Sequence, residues 1–168
     1  MRFTGCSNLT GQQLADSIET ARAQELAPFA AAHEYNLLPR GIESDLLPVI
    51  ERNAMALIPY FPLASGLLTG KYRKGQPMPP GTRLSERRFS ARFMSEKNVA
   101  VVEQLAVFCA ERGRTMLQLA FGWLLSRSYV ASIIAGATSP EQVRQNSDAL
   151  GWQMTADEIA AVDRIAAR

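Results

Sequence analysis

The 168 residues, 47% apolar and 20% charged, bury a core for one domain of ordinary size and exclude a disordered tail. No apolar run nears the roughly 20 residues of a membrane span and the N-terminus lacks a secretory stretch, so a cytoplasmic protein without membrane contact is expected. Cys6, Cys109 and the single His33 suit neither a disulfide framework nor a metal site, and a net charge of +2 names no partner.

Short β-like runs alternate with amphipathic helices along the whole chain, which argues for parallel βα units. The expected order opens with a short strand from Arg2 to Cys6 and a helix behind Thr10 that buries Leu14, Ile18 and Ala21. A small-residue strand from Phe29 to Glu34, a helix marked by Leu46, Val49 and Ile50, and a strand from Met55 to Tyr60 follow. Gly66 to Arg92 is rich in Pro and Gly and far exceeds the usual connection of about two to six residues, as functional or disordered loops do. Val102, Leu105, Ala106 and Cys109, then Leu117, Ala120, Phe121 and Leu124, have helical spacing and predict two helices separated by Gly113. Val130 to Ala135 predicts a strand buried on both faces. Capping boxes at Ser139-Pro140-Glu141-Gln142 and Thr155-Ala156-Asp157-Glu158 open two further helices, the last with Ile159, Val162 and Ala166 on one face. The reading is four parallel βα units plus a C-terminal helix, one domain over residues 1–168, with no internal repeat.

Charge is concentrated in one region. Lys71, Arg73, Lys74, Arg83, Arg87, Arg88, Arg92 and Lys97 face only Glu86 and Glu96, a local +6, which leaves −4 for the remainder. This is either a solvated basic loop or a site for a phosphate-bearing small ligand. The region is read as lacking the interleaved aromatic platform that nucleic acid needs, so no nucleic-acid partner is expected.

Ligands of parallel βα folds gather at the carboxyl ends of the strands, and four segments lie there. Gly5-Cys6-Ser7-Asn8 offers small polar groups for an amide, or ordinary turn and capping chemistry ahead of Thr10. His33-Glu34-Tyr35-Asn36-Leu37-Leu38-Pro39-Arg40 holds the lone histidine without a paired nucleophile, which favours a structural role. In Tyr60 to Tyr72 an aromatic ring can stack on a planar heterocycle. The small run Ala64-Ser65-Gly66 lets backbone N–H groups reach a pyrophosphate, with charge from Lys71 and Arg83; an ordinary turn around a core tyrosine is the alternative. Gly136 to Asn146 places a helix N-terminus with Thr138 and Ser139 beyond a strand, either an anion site or a plain cap.

Taken in order, Gly-x-Ser-Asn, Glu-Tyr-Asn-Leu-Leu-x-Arg, Pro-Leu-Ala-Ser-Gly-Leu-Leu-Thr-Gly-Lys-Tyr, Gly-Thr-Arg and Gly-Ala-Thr-Ser-x-Glu-Gln-Val-x-x-Asn resemble the C-terminal half of an aldo-keto reductase. The branch is the one with bacterial general-stress reductases and β subunits of voltage-gated potassium channels. The resemblance runs from about Arg2 to Ile165 and implies the last four units of a (β/α)8 TIM barrel that binds NADPH and reduces aldehydes and ketones. Carried over residue by residue, it assigns Ser7 and Asn8 to the nicotinamide carboxamide and Tyr60 to stacking on the ring. Pro62, Leu63, Ala64, Ser65 and Lys71, with Arg83, fall to the pyrophosphate loop, and Gly136, Thr138, Gln142, Gln145 and Asn146 to the adenosine and 2′-phosphate end.

Ala32 and Phe61 stand where the family usually has Gln and Ser. Each loses a polar contact worth about 0.5 to 1.5 kcal/mol, so weak NADP(H) binding is expected. The family's catalytic Asp, Tyr, Lys and His belong to earlier strands, and no catalytic residue is carried over. Two readings follow. In one, the chain is part of an oxidoreductase whose other half comes from another polypeptide or from coding sequence upstream of Met1. In the other, it is a non-catalytic dinucleotide-binding half-barrel or an inactive truncated product. Its open sheet edges favour a homodimer or a complementary half-barrel as partner.

Overall fold

The computed structural model describes residues 4–24, 26, 28–73 and 75–167; Arg2 and Phe3 of the expected first strand, and Lys74 of the basic region, lie outside them. Three parallel strands, β1 (Thr4–Ser7), β2 (Pro28–Glu34) and β3 (Ala56–Tyr60), form a sheet in the order β1-β2-β3. The register sets Gly5 beside Ala30 and Ser7 beside Ala32, then Ala30 beside Ala56, Ala32 beside Ile58 and Glu34 beside Tyr60. Side chains alternate along a strand, so these residues share one face. Cys6, Ala31 and Leu57 occupy the other and pack into the helical core.

Helix α1 (Gly11–Arg22) begins as its sequence predicts. Thr10 Oγ1 accepts from the Gln13 N–H at 3.2 Å while Gln13 Oε1 accepts from the Thr10 N–H at 2.9 Å, and Leu14 and Ile18 are buried. Gly11 is required for docking, because a Cβ there would stand 2.3 Å from the Asp45 carbonyl oxygen. The single helix expected around Leu46 to Ile50 is divided into α2 (Ile42–Asp45) and α3 (Leu47–Arg52). Pro48 explains the division, since it has no N–H for the carbonyl of the preceding turn.

The long excursion is folded rather than irregular. It holds 3-10 turns at Ala64–Thr69 and Arg83–Ser85 and helix α4 (Arg87–Phe93), anchored by the buried Tyr72, Leu84 and Phe93. An Arg92–Glu34 ion pair ties its far end to the end of β2. The expectation of no interleaved aromatics is corrected here. Phe89 carries the guanidinium groups of Arg83 and Arg88 at 5.6 and 4.6 Å, Phe93 carries Arg92 at 5.2 Å, and Tyr72 carries the Lys71 ammonium at 5.3 Å, so the rings are occupied by the chain's own cations.

Helices α5 (Glu96–Ala110) and α6 (Met116–Leu125) follow, separated by Gly113 at φ 61°. The strand expected at Val130 to Ala135 exists only as two bridges, Leu57 to Val130 and Tyr60 to Ile134. Three steps along β3 are matched by four along this segment, and that extra residue breaks the ladder between the bridges. Burial on both faces is also corrected: Ala131, Ser132 and Ile134 are exposed.

Helices α7 (Pro140–Asp148) and α8 (Ala156–Ala166) complete the chain. Thr155 and Glu158 close the second box, whereas at Ser139 only half of the first forms, because Gln142 directs its side chain to Thr138. Asp163 on α8 accepts from Arg40 Nη1 at 2.9 Å, Trp123 Nε1 at 2.9 Å and Arg127 Nη2 at 2.8 Å. Arg40 also pairs with Glu43 at 2.8 Å, and Glu43 accepts from the Tyr35 hydroxyl at 2.6 Å. This cluster pins α8 across the core. Among the described residues no helix is long and apolar enough to cross a membrane.

Candidate functional site

A cleft of about 730 Å³ opens between the carboxyl end of β3, the turn after it, residues 81–83 and the N-terminus of α7. Its floor is Tyr60, on the strand face turned away from the helices. The Tyr60 hydroxyl donates to Asn8 Oδ1 at 2.6 Å, and Phe61 packs edge-on against its ring at 5.5 Å. Asn8 stands beside Tyr60 and Ser7 beside Ala32, and neither lines the cleft. Their donors converge on Ala32, whose carbonyl accepts from Ser7 Oγ at 3.0 Å and from the Asn8 N–H at 3.3 Å.

The wall beyond Tyr60 is a tight, left-handed run. Phe61, Ala64, Ser65 and Gly66 have φ of 53°, 46°, 57° and 101°, conformations that cost non-glycine residues energy and need outside support. Asn36 supplies part of that support. Only 1% exposed, it donates from Nδ2 to the Phe61 carbonyl at 2.8 Å and accepts the Leu38 N–H at 2.9 Å. Asn36 belongs to the Glu-Tyr-Asn-Leu-Leu-x-Arg motif without an expected role in the site; its sign is a side chain that forms a turn just past a strand end.

Pro62, Leu63, Ser65, Lys71 and Arg83 line this wall as expected, while Ala64 is fully buried behind it and shapes rather than touches the space. Ser65 is 7% exposed and its Oγ has no hydrogen-bond partner among the described residues. Lys71 lies over Gly66: a Cβ at Gly66 would meet Lys71 Nζ at 3.3 Å. Neither Lys71 nor Arg83 pairs with a carboxylate among the described residues, so this side of the cleft is positive.

The opposite wall is the turn into α7, where Gly136, Thr138, Gln142, Gln145 and Asn146 all line the cleft. Leu117 and Ile134 add apolar surface to the cleft, where a core stripe and a buried strand are expected from their sequence pattern. His33 lies outside the lining, and its buried Nδ1 has no partner. Among the described residues no group of His, Cys, Asp and Glu could hold a metal ion.

The profile of the aldo/keto reductase family matches residues 2–167. The chain belongs to that family. Among its relatives within it, the L-glyceraldehyde 3-phosphate reductase of Escherichia coli K12 is 30% identical over 169 residues, covering 96% of this chain and 48% of the relative. The NADH-specific methylglyoxal reductase of the same organism is 38% identical over 73% of this chain and 37% of its own length. A probable voltage-gated potassium channel subunit beta of Oryza sativa subsp. japonica is 33% identical over 88% of this chain and 46% of its own. The glycerol dehydrogenase structure of Gluconobacter oxydans superposes with a TM-score of 0.78 at 32% identity, covering 99% of this chain and 49% of that one. The chain thus spans about half the length of the aldo/keto reductases it matches.

The cofactor of aldo/keto reductases, a nicotinamide dinucleotide, suits these walls on three counts. Tyr60 presents a flat ring at a strand end, the buried Ser65 hydroxyl lacks a partner among the described residues beside the Lys71 and Arg83 cations, and Gly66, without a side chain, lets the Lys71 ammonium lie close over the turn.

Proposed function

We propose that this chain provides the dinucleotide-binding part of an oxidoreductase that reduces aldehydes and ketones, with NADP(H) the form that the resemblance implies. The observation that carries this is the cleft: all the expected cofactor residues except Ser7, Asn8 and Ala64 line it, at the carboxyl end of β3 where such folds bind ligands. When bound, the dinucleotide supplies hydride. The chain's own residues bind and orient. Lys71 and Arg83 attract the pyrophosphate, Ser65 offers it a hydroxyl, and Tyr60, braced by Asn8, gives the nicotinamide a fixed surface.

Carbonyl reduction also needs a proton donor to the carbonyl oxygen. Among the described residues no His, Asp or Glu lines the cleft and the Tyr60 hydroxyl is already given to Asn8, which supports the reading, implied by the resemblance, that the donor comes from earlier strands of the barrel. Titration of NADPH fluorescence with the purified chain tests the reading. Saturable quenching that weakens about tenfold in Lys71→Ala or Arg83→Ala is expected, the scale of a charge-assisted contact; no binding at millimolar NADPH refutes it. The isolated chain should turn over aldehydes at well under about 1 s⁻¹, and a faster rate would show that it carries its own acid.

The sheet also supports one choice of partner for completing a barrel. On the face away from the helices stand Gly5, Ser7, Ala30, Ala32 and Ala56, with Ile58, Glu34 and Tyr60 the larger members. A closed eight-stranded barrel is packed with side chains, and a second copy would bring the same small residues and leave the interior underfilled. A complementary half with larger inward side chains fills it, which favours that partner over a homodimer. Co-expression with the N-terminal half of a family relative should give a 1:1 complex that melts cooperatively, whereas a discrete homodimer with a cooperative melt would reverse the choice.

A further inference from the structure

The two outer edges of this fold are unlike. At one, Val130 to Ala135 pairs only with β3, through its two bridges, and among the described residues no strand lies beyond it. All of its residues but Ser132 are apolar, and Ile134 is 53% exposed, which makes this edge a template for another strand. A right-handed βα unit lays its helix over the gap between its own strand and the next. Helix α7, which follows this segment, therefore covers a place where the described residues put no strand. It also buries nothing: α1, α5, α6 and α8 each bury at least one side chain, and α7 buries none. Val143 on α7 is 58% exposed, and Leu150, in the 3-10 turn Ala149–Gly151 that follows, is 49% exposed. What holds α7 is local, the cap at Ser139 and the Glu141 carboxylate, which accepts from Arg144 at 3.0 Å and from Gln145 at 3.1 Å. A helix this short that buries no side chain of its own is marginal in water.

The other edge is β1. The groove beside it, along α1, is lined by Gln13, Asp16, Ser17, Thr20 and Gln24, with Leu26 its one large apolar side chain. Part of this polar surface is already partnered, since Asp16 Oδ1 accepts from Gln12 Nε2 at 2.8 Å and Thr20 Oγ1 donates to the Asp16 carbonyl at 2.9 Å. Covering such groups costs their hydration and returns little.

We infer that the complementary half docks through the Val130–Ala135 edge and α7, adding a parallel strand to the edge and laying an apolar helix face against Val143 and Leu150, while β1 and α1 close as a polar seam that contributes little affinity. This rests on the reading above that the partner is a complementary half. The solved family structure that matches 99% of this chain has about as much chain again outside the match, the length of one such half.

The 1:1 complex purified from co-expression with the N-terminal half of a family relative, dissociated by dilution, tests this. Val143→Glu with Leu150→Glu should raise the midpoint of dissociation by about 100-fold or prevent recovery of the complex, and the milder Val143→Ser with Leu150→Ser should raise it by about tenfold. Ser17→Arg with Thr20→Arg, in the α1 groove, should change it by less than about threefold. All these side chains lie outside the buried core, so each free variant should keep the far-ultraviolet circular dichroism of the wild type. Amide exchange gives a second readout, with protection along α7 rising on complex formation far more than protection along α1. Equal or larger losses from the α1 pair, or protection that rises along α1 alone, overturn the inference and leave the complementary-half reading standing. A homodimer that the Val143 and Leu150 pair dissolves assigns this face to a second copy and overturns it as well. If the wild-type chain forms no complex, the complementary-half reading falls, and this inference falls with it.

Discussion

Two charged regions of this chain are wired in opposite ways. Around Asp163 each charged side chain meets an opposite charge: Arg40 and Arg127 share its carboxylate, Glu43 takes the other side of Arg40, and Tyr35 closes the series by donating to Glu43. In the cleft Lys71 and Arg83 meet only ring faces, and the Ser65 hydroxyl meets nothing. Both regions draw on guanidinium or ammonium groups close to aromatic rings, so composition alone does not separate them. The difference is closure. Charges that satisfy one another fix a fold, and charges left open await a ligand.

The largest effect should come from breaking the closed region. Asp163→Ala strands the Arg127 guanidinium and the Trp123 N–H and leaves Arg40 with Glu43 alone, and in this half-buried setting should cost about 3 kcal/mol in urea unfolding while leaving dinucleotide affinity within about twofold. A loss of binding as large as the loss of stability would erase the distinction between the regions.

Acid should act on the same cluster. Burial by itself pushes the Asp163 carboxyl up, but hydrogen bonds from Arg127 and Trp123 and the charges of Arg127 and Arg40 outweigh it and hold the group below its ordinary 3.8. The folded value lies under the unfolded one, so the stabilisation is complete above about pH 4 and is lost as pH falls through the lowered folded value. Urea midpoints from pH 7 down to 2 should decline at the acid end, and Asp163→Asn should flatten that decline. Tyr35 behaves in the opposite sense: burial, then Glu43 and Tyr129, raise its phenol well above the ordinary range, which keeps it a donor to Glu43.

Opening the charge of the open region should leave the fold alone. Arg83→Ala, exposed and stacked only on Phe89, should change stability by less than about 0.5 kcal/mol while weakening dinucleotide binding about tenfold. The smallest effect belongs to Ser65→Ala. Removal of a buried hydroxyl without a partner should leave the melting temperature unchanged or slightly raised, and weaken dinucleotide binding a few-fold. A clear loss of stability would mean that the hydroxyl serves the fold.

Much of this was legible along the chain because the signals are local. The stripe Leu14 and Ile18, the helix start behind Thr10, the box at Thr155 and the break at Gly113 act within one or two turns of backbone, so residue order is enough to reveal them, whereas the division at Pro48 appears only in the structure. Most of the cleft was legible for another reason: its residues sit in contiguous motifs at strand ends. Ser7, Asn8 and Ala64 stand outside the lining: the Ala32 carbonyl, brought alongside by sheet register, takes Ser7 Oγ and the Asn8 backbone N–H, and Ala64 is buried behind the wall.

What sequence by itself determined was the alternation of strands and helices, the family, and the clustering of cations after β3, because each is written in consecutive residues. Tertiary structure alone decided that Val130 to Ala135 pairs through two bridges with one residue to spare, since a ladder depends on step counts in two separate segments. It also decided that Asn36 holds the left-handed turn at Phe61, that Arg92 reaches back to Glu34, and that Gln142 spends its oxygen on Thr138 rather than on its own cap. In each case the deciding quantity is a distance between groups that the chain order leaves unspecified, and a hydrogen bond weakens too steeply with distance and angle for order alone to predict it.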